Sequence, residues 1–286
     1  MPQAKIGVIG GTGLYQIEGM TDIQELNIDT PFGKPSDSIV LGKLNGVGMA
    51  FLPRHGRGHR IIASDVPSRA NIYALKSIGV EQIIGINTCG SFKDAVKPGH
   101  LVIPDQVIDR TQKRISTFFG DGVVAHVSMA DPFCRDLSQV LQAAGREAGA
   151  VVHDKGTYIA MEGAAFSTRA ESLLYKSWGA DVIGMTILPE AKLAREAEIC
   201  YASICCVTDY DCWKEENVSM DIILGFMKQN VAFAKQIIKL AVGKVPLQRK
   251  CECASALKTA IVTTPASMTL EQKKKFNLLI GKYIEK

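Results

Sequence analysis

The chain has 286 residues, 47% of them hydrophobic and 22% charged, with a formal net charge of +4. That length and apolar content support one substantial core, and an ordinary charge fraction excludes wholesale disorder. No stretch approaches the ~18 consecutive apolar residues of a membrane span, and the densest basic run, Lys273-Lys274-Lys275, reads as a solvated helix face rather than a nucleic-acid patch.

The opening MPQAKIGVIGGTG runs straight into a glycine turn, without a long apolar stretch and small-residue cleavage site, so a cytoplasmic location is expected. Residues 5–9 (KIGVI) read as a buried strand. Segments 38–43 and 47–52 are strands joined by a turn at Asn45-Gly46. Residues 67–78 carry a helical pattern, and Val80–Ile86 is a continuous β-rich run, typical of an interior strand in a mostly parallel sheet. A strand over His100–Ile108 follows, then a helix over 131–148 with Asp131 and Pro132 at its N-cap and first position.

Thr157–Met161 and Asp181–Met185 are short strands on either side of a helix at 168–178. Residues 198–208 (EICYASICCVT) are too apolar all round for one helix face and read as the central strand. A long helix is expected at 219–241 with Ser219 as N-cap. A last helix opens on a Thr269–Gln272 capping box, with Phe276, Leu279, Ile280 and Tyr283 on one face. Alternating strands and helices specify an α/β fold: a single domain with a central mixed β-sheet flanked by helices. Residues 1–243 form that domain. Residues 244–286, irregular as far as 268, are an extension packing on the same domain or a neighbouring subunit.

Four segments carry chemistry. Gly10-Gly11-Thr12-Gly13 lets backbone amides approach an anion and adds a hydroxyl, although a plain tight turn reads almost as well. Its glycine spacing also resembles a dinucleotide-binding turn. Pro53 through Arg60 (PRHGRGHR) places three Arg and two His at a strand end, which suits phosphate because the guanidinium fork matches it. Asn87-Thr88-Cys89-Gly90-Ser91 ends another buried strand with small polar groups. Thr208-Asp209-Tyr210-Asp211 ends the most buried strand, and residues two apart in a strand face one side. Asp209 and Asp211 are therefore expected to converge on one ligand, with one carboxyl pKa raised.

The eight cysteines include Cys134, Cys200, Cys205 and the unusual pair Cys251-Glu252-Cys253. A metal site usually shows two residues between Cys ligands and a second cluster elsewhere, so no metal is expected; reduced thiols and disulfides both stay open.

The blocks IGVIGGTGLY, DTPFGKPSD, PRHGRGH, ANIYALKSIG, DQVIDRT, MADPFC, FSTRAES, ADVIGMT, PEAKLAREAEICYAS and VTDYDCWKE, spread from residue 5 to about 240, resemble the 5′-methylthioadenosine phosphorylases of the trimeric purine nucleoside phosphorylase superfamily. The resemblance implies that Thr12, Arg54, His55 and Thr186 hold phosphate, with Thr88 lending its backbone amide. It implies that Phe166 packs on the nucleoside, that Met185 lies beneath the ribose, and that Ser167, Asp209 and Asp211 meet the base. Met220 and Ile223 would wall the methylthio group. His126 would reach into a neighbouring subunit's site, in a trimer or dimer of trimers. Ala164-Ala165 departs from the Pro-Arg common in the family, and Asn87-Thr88 from the Thr-Ala of animal members.

The implied reaction is reversible phosphorolysis of a methylthioadenosine, with Asp209 as acid toward the purine and bound phosphate as nucleophile. Inorganic phosphate is then a co-substrate and no cofactor is needed. Two other readings stay in view. One is a broader purine nucleoside phosphorylase acting on adenosine, inosine or guanosine. The other is an NAD(P)-dependent dehydrogenase, suggested by the glycine turn and Tyr210-x-x-x-Lys214. Against the dehydrogenase, no clear helix pattern follows Gly13, and no second strand ends in an acid at the spacing such enzymes use.

Overall fold

Apolar runs bounded by turns set the strands of the sheet. In a computed structural model, residues 4–284 are described apart from 12–13, 15–16, 215–219 and 247; the side chains of 220, 222, 224, 227 and 228 also lie outside the description. The elements, in chain order, are β1 (Ile6–Gly10), β2 (Met20–Leu26), β3 (Ile39–Leu44), β4 (Val47–Pro53), α1 (Ser68–Ser77) and β5 (Gln82–Ser91). They continue with β6 (Leu101–Val102), β7 (Gln106–Arg110), α2 (Arg135–Glu147), β8 (Val152–His153), β9 (Thr157–Met161) and α3 (Arg169–Ser177). The last are β10 (Val182–Gly184), α4 (Glu190–Glu196), β11 (Cys200–Asp209), α5 (Met220–Val242) and α6 (Leu270–Ile284).

Among the described residues the strands form one mixed sheet in the order β2-β3-β4-β1-β5-β10-β9-β7, with β11, β6 and β8 branching from β5. The expected α/β fold, with helices on a central mixed sheet, is the observed one. Strand β4 shows how the period of two builds a core on each face. Ala50 and Leu52 point into a cluster with Ile72 and Leu75 of α1, Leu193 of α4 and Phe276 of α6. Met49 and Phe51 point into the opposite cluster, with Leu137 and Leu141 of α2 and Ile237 and Ile238 of α5. Leu257, Met268, Leu279 and Ile280 bury against the first of these cores.

Several boundaries differ from the sequence reading for physical reasons. β2 was missed because its middle five residues are exposed and, Ile23 apart, polar, leaving no apolar alternation to read. The single strand expected over 100–108 is two, β6 and β7, separated by Pro104. Helix α2 begins at Arg135 with Cys134, not Asp131, at its N-cap: Cys134 is extended, φ −74° and ψ 113°, with its amide on the Tyr201 carbonyl at 2.8 Å. α4 and the two-residue β8 were not foreseen. The hairpin turn is as expected: Asn45 and Gly46 both adopt positive φ, 52° and 78°. So is the α6 capping box, with the Gln272 side chain on the Thr269 amide at 2.7 Å and the Thr269 hydroxyl on the Gln272 amide at 3.2 Å. Ser219, expected to cap α5, lies outside the described residues.

Strand β5 positions the candidate site by changing partners. Its first half pairs with β1, in a register that ends at Ile9 opposite Gly85. Its far end pairs with β10, Gly90 opposite Ile183. β11 runs alongside throughout. Residues 86–89 therefore have one edge without a strand, and the backbone groups there need other partners.

Arg54, at the end of β4, supplies them. Its Nη1 donates to the Ile86 carbonyl at 2.9 Å and its Nη2 to the Ile9 carbonyl at 3.3 Å. Nε and Nη2 form a two-point contact with Glu190 of α4, at 2.5 and 3.1 Å. The Tyr201 hydroxyl donates to the same carboxylate at 2.9 Å. Arg54 and Glu190 side chains are 3% and 1% exposed, so neither charge has solvent to fall back on. Burial alone would lower the Arg54 pKa, but the Glu190 carboxylate outweighs it and the value is raised. Removing one member of such a pair leaves an uncompensated buried charge, which costs about 3–5 kcal/mol. Glu190→Ala is expected to lose stability of that order in urea denaturation, whereas Tyr201→Phe, which deletes one hydrogen bond, should lose about 1 kcal/mol.

Candidate active site

The open edge of β5 looks onto two adjoining cavities at the C-terminal ends of β1, β4, β5 and β11, where ligands bind in open α/β sheets. One is about 310 Å³ and the other about 160 Å³. Four residues line both: His55, His59, Thr88 and Thr186. Arg54, Gly11, Asn87 and Asn230 belong to the smaller one. Asp209, Asp211, Phe166, Met185 and Ile223 belong to the larger. Of the residues anticipated for an anion, Arg54 lines the smaller cavity and His55, Thr88 and Thr186 form its common wall with the larger, which holds those anticipated for a heterocycle.

The Arg/His loop is sorted by its own backbone. Gly56, Gly58 and His59 take positive φ of 69°, 80° and 54°, and the loop closes on hydrogen bonds from the Arg60 and Ile61 amides to the His55 carbonyl. This curl turns His55 and His59 inward, stacked with ring centroids 4.3 Å apart. It sends Arg57 outward to Glu25 and Asp37, and Arg60 back to the Arg57 carbonyl. Only one of the three arginines, Arg54, reaches a cavity. Of its five N–H groups, four have partners among Glu190, Ile9 and Ile86, which leaves one Nη1 hydrogen for a ligand.

His55 pairs its Nδ1 with the Ile61 carbonyl at 2.8 Å. Facing an acceptor, Nδ1 must carry the proton, so Nε2 is an acceptor in the neutral ring. Burial first, and then the Arg54 charge, push the His55 pKa down to about 4.

Thr186 follows β10. Its hydroxyl donates to Asn87 Oδ1 at 2.5 Å, and Asn87 Nδ2 donates to the Ser203 hydroxyl at 2.5 Å. The turn that carries Thr186 is held by Arg114, which sequence reasoning passed over. Arg114 is 3% exposed, and its guanidinium donates to the carbonyls of Met161, Glu162, Met185 and Leu188 and meets the Glu162 carboxylate. All five of its N–H groups are used, so it ties the end of β9 to the turn after β10 and has none to offer a ligand.

The aspartate pair converges, though not through the strand period: β11 ends at Asp209, and Asp211 opens a 3-10 turn with φ of 49°. Asp209 Oδ1 accepts from the Asp211 amide at 2.8 Å and Oδ2 accepts from the Thr208 hydroxyl at 2.7 Å. Asp211 is the member whose pKa is raised, by burial first and with a contribution from the Asp209 charge. Its Oδ2 is buried and has no hydrogen-bond partner. Gly90 makes room for the pair: a Cβ there would stand 2.7 Å from Asp209 Oδ1 and 3.2 Å from Asp211 Cβ.

The remaining anticipated residues divide. Phe166, 44% exposed, and Met185 line the larger cavity with Ile223. Ser167 sits beside it, its hydroxyl toward the Met161 sulfur at 3.8 Å and its carbonyl accepting from the Cys212 thiol at 3.2 Å. His126 is exposed, lines neither cavity, and is held by its backbone amide on the Ala260 carbonyl at 2.8 Å. Thr12 and the Met220 side chain lie outside the described residues.

Two further contributors were not anticipated. Glu190, the first residue of α4, is an acid only 1% exposed, a burial that itself demands a basic partner. Asn230 of α5 is 3% exposed and lines the smaller cavity, yet both its amide nitrogen and its oxygen lack partners. A polar group buried that completely is satisfied only by something in the cavity.

Residues 5–242 match the family model described as the phosphorylase superfamily. The S-methyl-5′-thioadenosine phosphorylase of Geobacter sulfurreducens is 58% identical over 282 residues, covering 98% of this chain and 99% of that protein. The protein of the same name from Koribacter versatilis is 51% identical over 283 residues, covering 98% and 97%. Among solved structures, a methylthioadenosine phosphorylase from an antarctic soil metagenomic library superposes with a TM-score of 0.94 at 49% identity, covering 98% of this chain and 99% of that one. A methylthioadenosine phosphorylase from Schistosoma mansoni in complex with adenine gives 0.83 at 37% identity, covering 89% and 96%.

The His55 shift sets a pH dependence of stability. Its folded value, about 4, lies below the ordinary 6.5, so the unfolded chain takes up the proton first as pH falls. The contribution is fully present above pH 6.5 and is lost between about 6.5 and 4. Urea midpoints of His55→Gln, followed over that window, should fall less steeply than those of the wild type; parallel curves would contradict the assignment.

Proposed function

The chain belongs to the phosphorylase superfamily, and we propose that it carries out the reversible phosphorolysis of S-methyl-5′-thioadenosine, releasing adenine and 5-methylthioribose 1-phosphate. It is then a glycosyltransferase of purine and methionine salvage, with inorganic phosphate as co-substrate and no cofactor. The observation that carries this reading is the shared wall. An anion beside His55, Thr88 and Thr186 would lie next to a base held by Asp209 and Asp211, which is where a phosphate oxygen must stand to attack an anomeric carbon.

In this reading Arg54, through its remaining N–H, holds phosphate with His55, Thr186 and the Thr88 amide, and Thr12 completes the set from the glycine turn. Asn230 is added as a further polar contact on the same side. Phe166 and Met185 cover the sugar and base, and Ser167 stands near the base. Met220 and Ile223 wall the methylthio group, for which apolar side chains suit a thioether. A phosphate oxygen bonds to the anomeric carbon as the carbon–nitrogen bond to the purine breaks. The purine leaves with that electron pair and needs a proton. In this reading Asp209 delivers it, beside an Asp211 carboxyl whose pKa is raised by burial. A carboxylate also accepts from a 6-amino group and repels a 6-carbonyl oxygen, which favours adenine nucleosides over inosine.

The assembly is a homo-oligomer, a trimer or a dimer of trimers, located in the cytoplasm. Its partners are small molecules rather than nucleic acid or membrane; among the described residues no helix is long and apolar enough to cross a membrane. The exposed His126 is the residue assigned to a neighbouring subunit's site.

Release of free adenine from methylthioadenosine should require phosphate, with adenosine slower and inosine slower still. Adenine formed at the same rate without phosphate would refute the reaction. Asp209→Asn is expected to lower turnover by about 10²–10⁴-fold, the usual worth of general acid help. Gly90→Ala, which crowds the same carboxylate without touching its chemistry, should cost on the order of 10²-fold through misplacement alone. Wild-type turnover in either variant would remove the pair from the mechanism.

A further inference from the structure

Four cysteines far apart in sequence meet on the side of the sheet that carries α2 and α5. Cys134 immediately precedes α2, Cys200 opens β11, and Cys251 and Cys253 follow α5 in the C-terminal segment. Their sulfurs all lie within 4.8 Å of one another. Cys251 Sγ is 3.8 Å from Cys134 Sγ and 3.3 Å from Cys200 Sγ. Cys134, Cys200 and Cys253 are buried.

We propose that Cys134, Cys200, Cys251 and Cys253 bind one structural zinc ion. Thiolates at the ordinary zinc–sulfur distance of about 2.3 Å form a tetrahedron whose edges are about 3.8 Å. The observed spacings scatter about that edge. A disulfide instead brings two sulfurs to about 2.05 Å and divides four cysteines into pairs. Here Cys251 approaches two partners at once, and every sulfur is near every other, which is the relation of tetrahedron corners rather than of two rods. All four corners are protein ligands, so the site is closed and structural rather than catalytic.

The surroundings suit the charge. Four thiolates around a divalent cation leave a net charge of −2, and the Arg195 guanidinium stands beside them, Nη1 3.8 Å from Cys253 Sγ, while its Nη2 is anchored on the Asp131 carbonyl. A cleft of about 800 Å³, lined by Cys134, Cys251, Cys253 and Arg195, gives the metal a way in. Binding releases the thiol protons to solvent and involves no oxidant. None of the four cysteines lines either cavity of the candidate active site. The ion would clasp the segment after α5 onto the starts of α2 and β11. The one-residue spacing of Cys251 and Cys253 is shorter than zinc sites usually show, which is why the sequence alone argued against a metal.

The full-length protein, expressed in zinc-supplemented medium and purified with a phosphine reductant and no chelator, should carry about one zinc per chain by plasma mass spectrometry. Cys251→Ser should retain about a tenth of that or less. In case this variant does not fold, cobalt is loaded into the reduced wild-type protein. The expected spectrum is that of tetrahedral cobalt with sulfur-to-metal charge transfer. The proposal is overturned by a metal-free protein that takes up neither ion, whether all eight thiols titrate or the intact mass shows the hydrogens lost to two disulfides. It is equally overturned by bound cobalt without sulfur charge transfer.

Discussion

The organising constraint of the structure is a guanidinium placed where a β-sheet divides. Between Gly85 and Gly90 strand β5 has parted from β1 and not yet joined β10, and backbone carbonyls there cannot be left unpaired. Arg54 answers that of Ile86, and that of Ile9 at the end of β1, and its charge in turn requires Glu190, which requires the short helix α4 to be where it is. The opening that this arrangement props apart is the same opening into which a ligand fits. Fold and site therefore share one interaction. The charge that would attract phosphate is already half neutralised, which tempers how tightly an anion is held.

The two halves of the cavity are built by different means. On the anion side the donors are few and mostly committed: Thr186 is turned to Asn87, Asn87 to Ser203, and His55 to Ile61. The members of this network already occupy their places, and what an anion must redirect is the Thr186 hydroxyl, whose one hydrogen is spent on Asn87. On the base side the asymmetry lies between two carboxyls of identical chemistry. Asp209 accepts two hydrogen bonds, whereas Asp211 has an oxygen buried without any, and burial raises the Asp211 pKa.

Much of this was legible from the chain. The continuous apolar runs of β1, β5 and β11, the Asn45-Gly46 hairpin and the Thr269–Gln272 box each carry a local rule, and each is found as read. Asp209 and Asp211 do share one cavity, but a turn after β11 brings them together rather than the strand period that suggested it. What escaped depends on partners distant in sequence. Nothing near Arg54 announces Glu190, 136 residues away. Arg114 and Asn230 are ordinary polar residues until packing buries them. β2 lacked any pattern because both of its faces meet water along most of its length. The handedness that the glycines impose on the Arg/His loop, which turns Arg57 and Arg60 away, cannot be counted from composition.

Strand β11 connects two otherwise separate places. It is ten residues long, and at about 3.3 Å per residue its ends stand about 30 Å apart. Asp209 lies at one end and Cys200, with the thiol cluster, at the other. Every residue between them is buried, so the strand behaves as a rigid spar through the molecule. Injury to the sulfur end would therefore loosen the tail of the chain while leaving the carboxylates where they are, and an insult to the protein's architecture could go unregistered by its chemistry.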